Sequence, residues 1–316
     1  MRALLSTVLI TVAAFIFVSC DETEPTKSQS SKSEDVIQIA LVMKTMTNPF
    51  FISMEQGARR AEKELNIKLV VKTAAQETST SQQISIVERL ARENEVDAIV
   101  IAPASSIRLI PALKKAQDKG IHIINVDNLL DPDFSIKAEL LDVPFISIDN
   151  KRSAYLSAQT ISADVSSPSE VGIIEGIREA SNANARKAGA LQAFSENSNL
   201  TVVASETANW RIEEAYEVAK KMFTEHPNIS LLFCANDMMA IGAIEYLKET
   251  NRTSVKVAAF DAIDDARAAI KEGWLHATVD QQAAEQGYQG ILLAIKAIKG
   301  ENIPKEIMLD GLVISK

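Results

Sequence analysis

Short apolar strands alternate with amphipathic helices along nearly the whole chain, and this alternation restricts the fold more than any other feature. From Val36 onward, one strand and one helix recur about every 25–30 residues, the length of a strand plus a crossover helix. The first helix, for example, carries Met54, Ala58 and Leu65 on one face. Strands that are apolar nearly throughout, with helices between them, indicate a parallel sheet covered on both faces.

The alternation is interrupted once, by a polar stretch between Leu129 and Pro144 that contains Asp131-Pro132-Asp133. A second series of strands and helices begins directly after it. The chain has 316 residues, 47% of them hydrophobic, which is enough for two medium domains. We therefore predict an α/β fold with two doubly wound, Rossmann-like lobes. Periodicity does not indicate which sheet the final helix (residues 283–299) and the final strand (residues 311–315) complete.

The N-terminus has the pattern of a secretion signal. Arg2 precedes an apolar run over residues 3–18, which is shorter than the about 20 residues of a membrane-spanning helix. The run ends at Phe17-Val18-Ser19-Cys20, which resembles the lipobox of bacterial lipoproteins, where Cys20 would be lipidated. An incidental cysteine after an ordinary cleavage site is the alternative. We predict a lipoprotein signal peptide over residues 1–19 and a flexible polar tether over residues 20–35.

Charge and motifs exclude several functions. The net charge of −9 disfavours a nucleic-acid partner or an anionic membrane surface. The phosphate-binding patterns G-x-G-x-x-G and G-x-x-x-x-G-K-[ST] are absent, as is the nucleophile elbow G-x-S-x-G. None of the three histidines has a neighbour at metal-ligand spacing. We predict no catalytic residue, no metal and no cofactor, and we expect Cys234 to be a buried hydrophobe outside any disulfide.

Polar and aromatic residues follow the predicted strands at their carboxyl ends, where open α/β sheets bind ligands. These strand-end residues are Lys44, Asn48, Phe50, Phe51, Asp127, Asn128, Asn236, Asp237, Asp261 and Gln281. Such a set is suited to a small polyhydroxylated molecule. Asp127 and Asp261 can accept hydrogen bonds from pairs of hydroxyl groups, and Lys44 can donate to sugar oxygens.

Aromatic side chains and one arginine complete this candidate set. Phe50, Phe51 and Trp210 can stack on the apolar faces of a sugar ring, and Arg186 can donate hydrogen bonds to its oxygens. For the phenylalanines the alternative is core packing at a helix start. Arg186 could equally be a surface residue of a helix.

In order along the chain, the segments LVMKTMTNPFF, IAPASS, INVDN, GIIEGIREASNANARKAGALQAF, TANW, FCANDMMAIGA, AAFDAIDDA and ATVDQ resemble those of periplasmic pentose- and hexose-binding proteins, the ribose- and allose-binding group of ABC-transporter solute receptors. The resemblance implies a ligand set of Lys44, Asn48, Phe50, Phe51, Asp127, Asn128, Arg186, Trp210, Asn236, Asp261 and Gln281. It also implies three crossings between lobes, near residues 147–150, near Gln281 and Gln282, and near Asp310. The N-terminal lobe would be residues 36–148 plus 282–309, and the C-terminal lobe residues 149–281 plus 310–316.

The resemblance leaves the sugar open. Lys44 and Ala102-Pro103 resemble the residues of the allose-binding branch. Ribose binders tend to have serine and asparagine at these positions. Asn128 matches neither the arginine of ribose binders nor the glutamate expected in allose binders. An allose- or ribose-like hexose or pentose, or a related polyol, therefore remains the expected ligand.

The function that we predict is capture of such a sugar by a monomeric, lipid-anchored protein outside the cytoplasm, which delivers it to an ABC permease. A receptor that presents a sugar or quorum signal to a sensor kinase or chemoreceptor is the alternative. A repressor of the lactose-repressor type would share the fold, but it needs a helix-turn-helix where this chain has a secretion signal. We expect no enzymatic activity.

Overall fold

The computed structural model describes residues 36–316. The predicted signal peptide and tether, and with them Cys20, lie outside these residues. Within residues 36–316, no helix combines the length and the apolar character needed to cross a membrane.

Strands and helices alternate through the described chain, as the sequence pattern predicts. The strands are β1 (Gln38–Met43), β2 (Lys68–Thr73), β3 (Ala98–Ile101), β4 (His122–Val126), β5 (Phe145–Ile148), β6 (Ser169–Glu175), β7 (Leu200–Thr207), β8 (Ile229–Cys234), β9 (Lys256–Ala258), β10 (Ala277–Asp280), β11 (Glu306–Leu309) and β12 (Leu312–Ser315). The helices are α1 (Pro49–Leu65), α2 (Thr80–Glu93), α3 (Ile110–Gln117), α4 (Pro132–Lys137), α5 (Asn150–Ser162), α6 (Ser181–Ser195), α7 (Ile212–Glu225), α8 (Asp237–Glu249), α9 (Asp264–Glu272) and α10 (Ala283–Ile298).

The strands form two six-stranded sheets, each the centre of one lobe. The first has the order β2-β1-β3-β4-β5-β11, and the second has the matching order β7-β6-β8-β9-β10-β12. All pairs in the first sheet are parallel, whereas β12 runs antiparallel to β10 at the edge of the second. The predicted class of two doubly wound α/β lobes is confirmed. In each sheet the strand order reverses at the first strand of the lobe, β1 or β6, which is where such folds open a ligand crevice.

The C-terminal segment contributes to both lobes, which answers the question that periodicity leaves open. Helix α10 packs closely on α1: a Cβ added at Gly287 would lie 2.1 Å from the backbone oxygen of Met54. Strand β11 then extends the first sheet by pairing with β5, and β12 pairs with β10 in the second. The sequence pattern did not predict β11, a short edge strand. The chain thus passes between the two sheets after β5, after β10 and after β11.

The polar break between the two strand series contains the short helix α4. Asp131 is its N-cap and accepts a hydrogen bond from the backbone N–H of Phe134, and Pro132 occupies the first turn. The core itself follows the prediction, since β1, β3 and β8 are buried almost throughout. Cys234 in β8 is fully buried, as predicted, and burial raises the pKa of its thiol.

Candidate functional site

A cleft between the two lobes lies at the carboxyl ends of both sheets. The space between its lining residues is small, about 230 Å³ including the part that is open to solvent. Its lining residues come from both lobes: Lys44, Asn48, Phe50, Phe51, Glu77, Asp127, Asn182, Arg186, Trp210, Asn236, Asp261 and Gln281. The structure therefore brings together every residue of the predicted ligand set except Asn128. Glu77 and Asn182 are additional.

Two asparagines of the cleft are also helix N-caps. The side-chain oxygen of Asn48 accepts a hydrogen bond from the backbone N–H of Phe50 at 3.0 Å, and Pro49 follows at the first helical position. Asn236 caps α8 in the same way, since its side-chain oxygen accepts a hydrogen bond from the backbone N–H of Met239 at 2.9 Å. Both caps use only the side-chain oxygen, so the amide NH₂ group can bind another partner. In Asn48 that group donates to Glu77 Oε1 at 2.9 Å.

The aromatic residues of the cleft pack against the protein as well as facing the cleft. Phe50 and Phe51 make an edge-to-face pair with ring centroids 5.1 Å apart, and both belong to the core of the first lobe. Core packing and cleft lining are thus both true of them. On the opposite lobe, the indole of Trp210 lies against Gly176, where an added Cβ would come within 2.0 Å of the ring. The absence of a side chain at Gly176 therefore makes room for Trp210.

A buried ion pair anchors the first lobe's side of the cleft. Lys44 Nζ lies 2.7 Å from Asp127 Oδ2, and both side chains are 3% exposed. The other carboxylate oxygen, Oδ1, accepts a hydrogen bond at 3.2 Å from the NH₂ group of Asn182 on the second lobe. Asp127 thus binds Lys44 of its own lobe and the amide of Asn182 of the other lobe at the same time.

Arg186 lies at the centre of the second lobe's side, buried to 3% exposure, so it is not a surface residue. It donates hydrogen bonds to Asn150 Oδ1 at 2.8 Å, to the backbone oxygen of Ala235 at 3.0 Å and to Gln281 Oε1 at 3.0 Å. Its guanidinium also lies 3.5 Å from Asp261 Oδ1 and 3.9 Å from the ring centroid of Phe260. Most of its donors are therefore already used by the protein, and its orientation is fixed.

Burial dominates the electrostatics of this pair. It raises the pKa of Asp261 well above its ordinary value, and the nearby charge of Arg186 opposes this shift. Burial likewise lowers the pKa of Arg186, opposed by Asp261. The carboxylate also accepts a hydrogen bond from Gln281 Nε2. Asp261 is thus poised to accept hydrogen bonds or, when protonated, to donate one.

Glu77 is a cleft residue that the sequence reasoning missed. It lies in the loop after β2, is 8% exposed, and burial raises the pKa of its carboxyl. Its position just beyond the end of a predicted strand was the available signal. Asn182 was missed as well, although it lies four residues before Arg186 and so on the same face of α6.

Asn128 is the predicted residue that does not line the cleft. It is fully buried, and its NH₂ group donates to the backbone oxygen of Pro103 at 3.0 Å. Its side-chain oxygen accepts hydrogen bonds from the second lobe, from Ser181 Oγ at 3.0 Å and from the backbone N–H of Asn182 at 3.2 Å. Asn128 therefore joins the lobes beside the cleft.

The arrangement is suited to binding a neutral polar molecule. Two cations, Lys44 and Arg186, face the carboxyl groups of Glu77, Asp127 and Asp261, so charge is nearly balanced. Within residues 36–316, acidic, histidine and cysteine side chains form no group that could hold a metal ion. Hydrogen-bonding groups between aromatic faces match the hydroxyl belt and apolar faces of a monosaccharide.

Comparison with known proteins gives consistent matches over nearly the whole chain. A family model described as a periplasmic binding protein domain matches residues 39–302. The D-ribose/D-allose-binding protein of Pseudomonas aeruginosa is 38% identical over 305 residues, covering 96% of this chain and 94% of that protein. The D-allose-binding periplasmic protein of Escherichia coli is 33% identical over 88% of this chain and 92% of that protein.

A solved structure is similarly close. The chain is 38% identical to an ABC transporter periplasmic solute binding protein from Actinobacillus succinogenes, which was crystallised with bound D-allose. The TM-score is 0.83, and the match covers 88% of this chain and 97% of that one.

Proposed function

The chain belongs to the periplasmic binding protein family, and from that premise we propose that it captures a monosaccharide for an ABC importer. Family membership makes it a sugar-binding protein that acts outside the cytoplasm rather than an enzyme. Allose is the first candidate ligand, because two relatives of 33% and 38% identity are named for D-allose binding, a 38% identical neighbour holds D-allose, and Lys44 resembles the allose-binding branch. Ribose, a related pentose or a polyol is the next candidate ligand.

The observation that carries the proposal is the convergence of two buried ion pairs, one from each lobe, on one small polar cleft. Lys44–Asp127 and Arg186–Asp261 face the same space of about 230 Å³. Buried charges of this kind are costly unless they are hydrogen-bonded. Hydroxyl groups, which both donate and accept, satisfy their remaining donors and acceptors.

The sugar is captured by closure of the two lobes. We propose that residues 36–148 plus 282–309 form one moving body and residues 149–281 plus 310–316 the other, with the three crossings as hinge. The lobes touch directly beside the cleft: Ser106 Oγ accepts a hydrogen bond from the backbone N–H of Ser181 at 3.0 Å. The closed monomer is then the form that the membrane permease recognises.

A thermal-shift screen against pentoses, hexoses and polyols tests the ligand class. We expect allose or a close relative to bind with Kd of about 1 μM, which corresponds to about −8 kcal/mol. At 100 times Kd, such a ligand adds about 2.7 kcal/mol to the free energy of unfolding. If no sugar or polyol raises the melting temperature, the proposal is wrong.

The partner is tested separately by sequencing the genes beside this one and reconstituting any permease and ATPase that they encode. We expect the sugar-loaded protein, and not the sugar-free one, to stimulate ATP hydrolysis by the reconstituted transporter. A neighbouring kinase whose autophosphorylation responds to the loaded protein would instead support the alternative, a receptor that presents its ligand to a sensor.

We also propose that Cys20 is lipidated and holds the protein at a membrane. The support is the Phe17-Val18-Ser19-Cys20 pattern after an apolar run. One acyl chain binds membranes only marginally, so we expect at least two. Metabolic labelling with a fatty acid should mark the wild type and the Cys234→Ala control but not Cys20→Ala. Persistent labelling of Cys20→Ala would refute the anchor.

A further inference from the structure

Asn182 is placed at the cleft by contacts with the opposite lobe. It is the second residue of α6, is 4% exposed and lines the cleft four residues before Arg186. Its backbone N–H donates to Asn128 Oδ1 at 3.2 Å, and its side-chain NH₂ group donates to Asp127 Oδ1 at 3.2 Å. Since Asp127 accepts a hydrogen bond from the NH₂ group, the orientation of the Asn182 amide is determined, and its side-chain oxygen points away from Asp127.

That oxygen, Asn182 Oδ1, has no hydrogen-bond partner in the protein although it is buried. Buried polar atoms without partners are rare in folded proteins, and each one calls for an explanation. Trp210 Nε1, a donor on the same lobe and also in a cleft-lining residue, is likewise buried and unpartnered. An unpaired acceptor and an unpaired donor in one cleft are both complementary to the hydroxyl groups of a sugar.

Building on the proposed sugar-binding function, we propose that Asn182 determines specificity by accepting a hydrogen bond from one sugar hydroxyl. Asp127 holds the NH₂ group, so the oxygen is presented in a single orientation. A sugar that lacks this hydroxyl leaves the oxygen unpaired in the closed state, which is the strongest form of discrimination against a missing group. Asn182 thereby extends the ligand set beyond the residues that the sequence resemblance implies.

Calorimetry with a series of monodeoxy derivatives of the bound sugar tests this inference. For the wild type, each derivative binds more weakly than the parent sugar by its own factor, which is the ratio of the two affinities. In Asn182→Ala, we expect the factor for one derivative to shrink by about fivefold or more, because the acceptor for that hydroxyl is gone. The factors for the other derivatives should stay within error.

Ser106→Ala is the matched control, since Ser106 contacts the start of α6 without lining the cleft. Ser106→Ala should lower the affinity for the parent sugar and for every derivative by the same factor. If Asn182→Ala does the same, Asn182 only supports closure and the inference is wrong. Binding of no sugar by the wild type would instead overturn the proposed function itself.

A measurement on the wild type keeps the inference testable if Asn182→Ala folds poorly. With ¹⁵N-labelled asparagine, the side-chain resonances of Asn182 should shift on binding the parent sugar. They should shift differently with the one derivative that lacks the critical hydroxyl. Identical shifts with the parent sugar and with every derivative would contradict the role of Asn182.

Discussion

Several cleft residues have backbone conformations that side chains other than glycine rarely adopt. Asp127 has φ 63°, Trp210 has φ 69° and Asp261 has φ 120°. Such residues cost on the order of 1–3 kcal/mol each and persist only where their surroundings hold them. Asp127 is held by Lys44 and Asn182, and Asp261 by Arg186 and Gln281. Strained backbone and buried charge thus occur at the same positions, and the contacts within each lobe, from Lys44, Arg186 and Gln281, orient these carboxylates before a ligand arrives.

Replacement of Asp261 tests this orientation. Asp261→Ala should weaken sugar binding by at least about 2 kcal/mol, or about 30-fold, because the sugar hydroxyls and Arg186 both lose an acceptor. Asp265→Ala, which removes an exposed carboxylate of α9, should leave the affinity unchanged. Calorimetric titration measures both. Near-normal affinity in Asp261→Ala would mean that the ligand lies elsewhere.

At the residue scale, the sequence predicted the cleft residues that follow buried strands, but it did not predict the side chains whose position depends on contacts with the opposite lobe. Lys44, Asp127 and Asp261 each follow a buried strand, so their convergence can be expected from one chain segment at a time. Whether Asn128 faces the cleft or the neighbouring lobe depends on where α6 lies when the lobes are closed. That information is absent from the local sequence.

At the scale of elements, the start of α6 is completed by the other lobe. Its N-cap, Ala180, offers no side-chain acceptor. Ser106 Oγ and Asn128 Oδ1 accept instead from the N–H groups of Ser181 and Asn182. Unsatisfied N–H groups of a helix start are stabilised by such acceptors. Closure therefore caps α6, which links this helix to the state of the cleft.

Elements that depend on distant pairing were the ones that periodicity did not predict. Strand β11 is short and only partly buried, so its residues carry no strong pattern, and its pairing with β5 defines it. The β-strands with buried residues on both faces, such as β1 and β3, were evident because burial demands apolar residues throughout.

Glu175 provides a test at this scale, since it connects the end of β6 to α6 and β7. Burial by itself would raise the pKa of Glu175, but hydrogen bonds from Arg178, Lys187 and Ser205 outweigh it and lower the pKa to about 2. The ionised form is thus preferred in the folded state. Its stabilisation is complete above about pH 4.5 and is lost as the pH falls toward 2.

Glu175→Gln should therefore lower the free energy of unfolding by about 1–3 kcal/mol at pH 7 and by clearly less at pH 3. Urea unfolding at the two pH values measures the difference. Glu217→Gln, which changes an exposed glutamate of α7, is the control and should have little effect at either pH. An equal loss at both pH values would attribute the effect of Glu175 to packing rather than to charge.

For the whole molecule, the described structure is a closed one, in which the lobes make hydrogen bonds to each other beside a small buried cleft. Ser106 donates its backbone N–H to the oxygen of Glu179, and Ser181 Oγ contacts the oxygen of Leu129. In the proposed closure, these contacts break when the lobes separate to admit a sugar and form again when the lobes close on it. Binding would then be coupled to a change in the relative position of the lobes.

The two tryptophans allow this change to be measured. Trp210 is 4% exposed and lines the cleft, whereas Trp274 is partly buried near Lys248, away from the cleft lining. Closure around a sugar removes water from Trp210 and places its ring against the ligand, while the surroundings of Trp274 stay the same. In Trp274→Phe, the fluorescence response to sugar should therefore survive. In Trp210→Phe, it should largely vanish while weakened binding remains by calorimetry, because phenylalanine keeps an aromatic face. A response that followed Trp274 instead would place the ligand, and the closing motion, at the wrong ends of the strands.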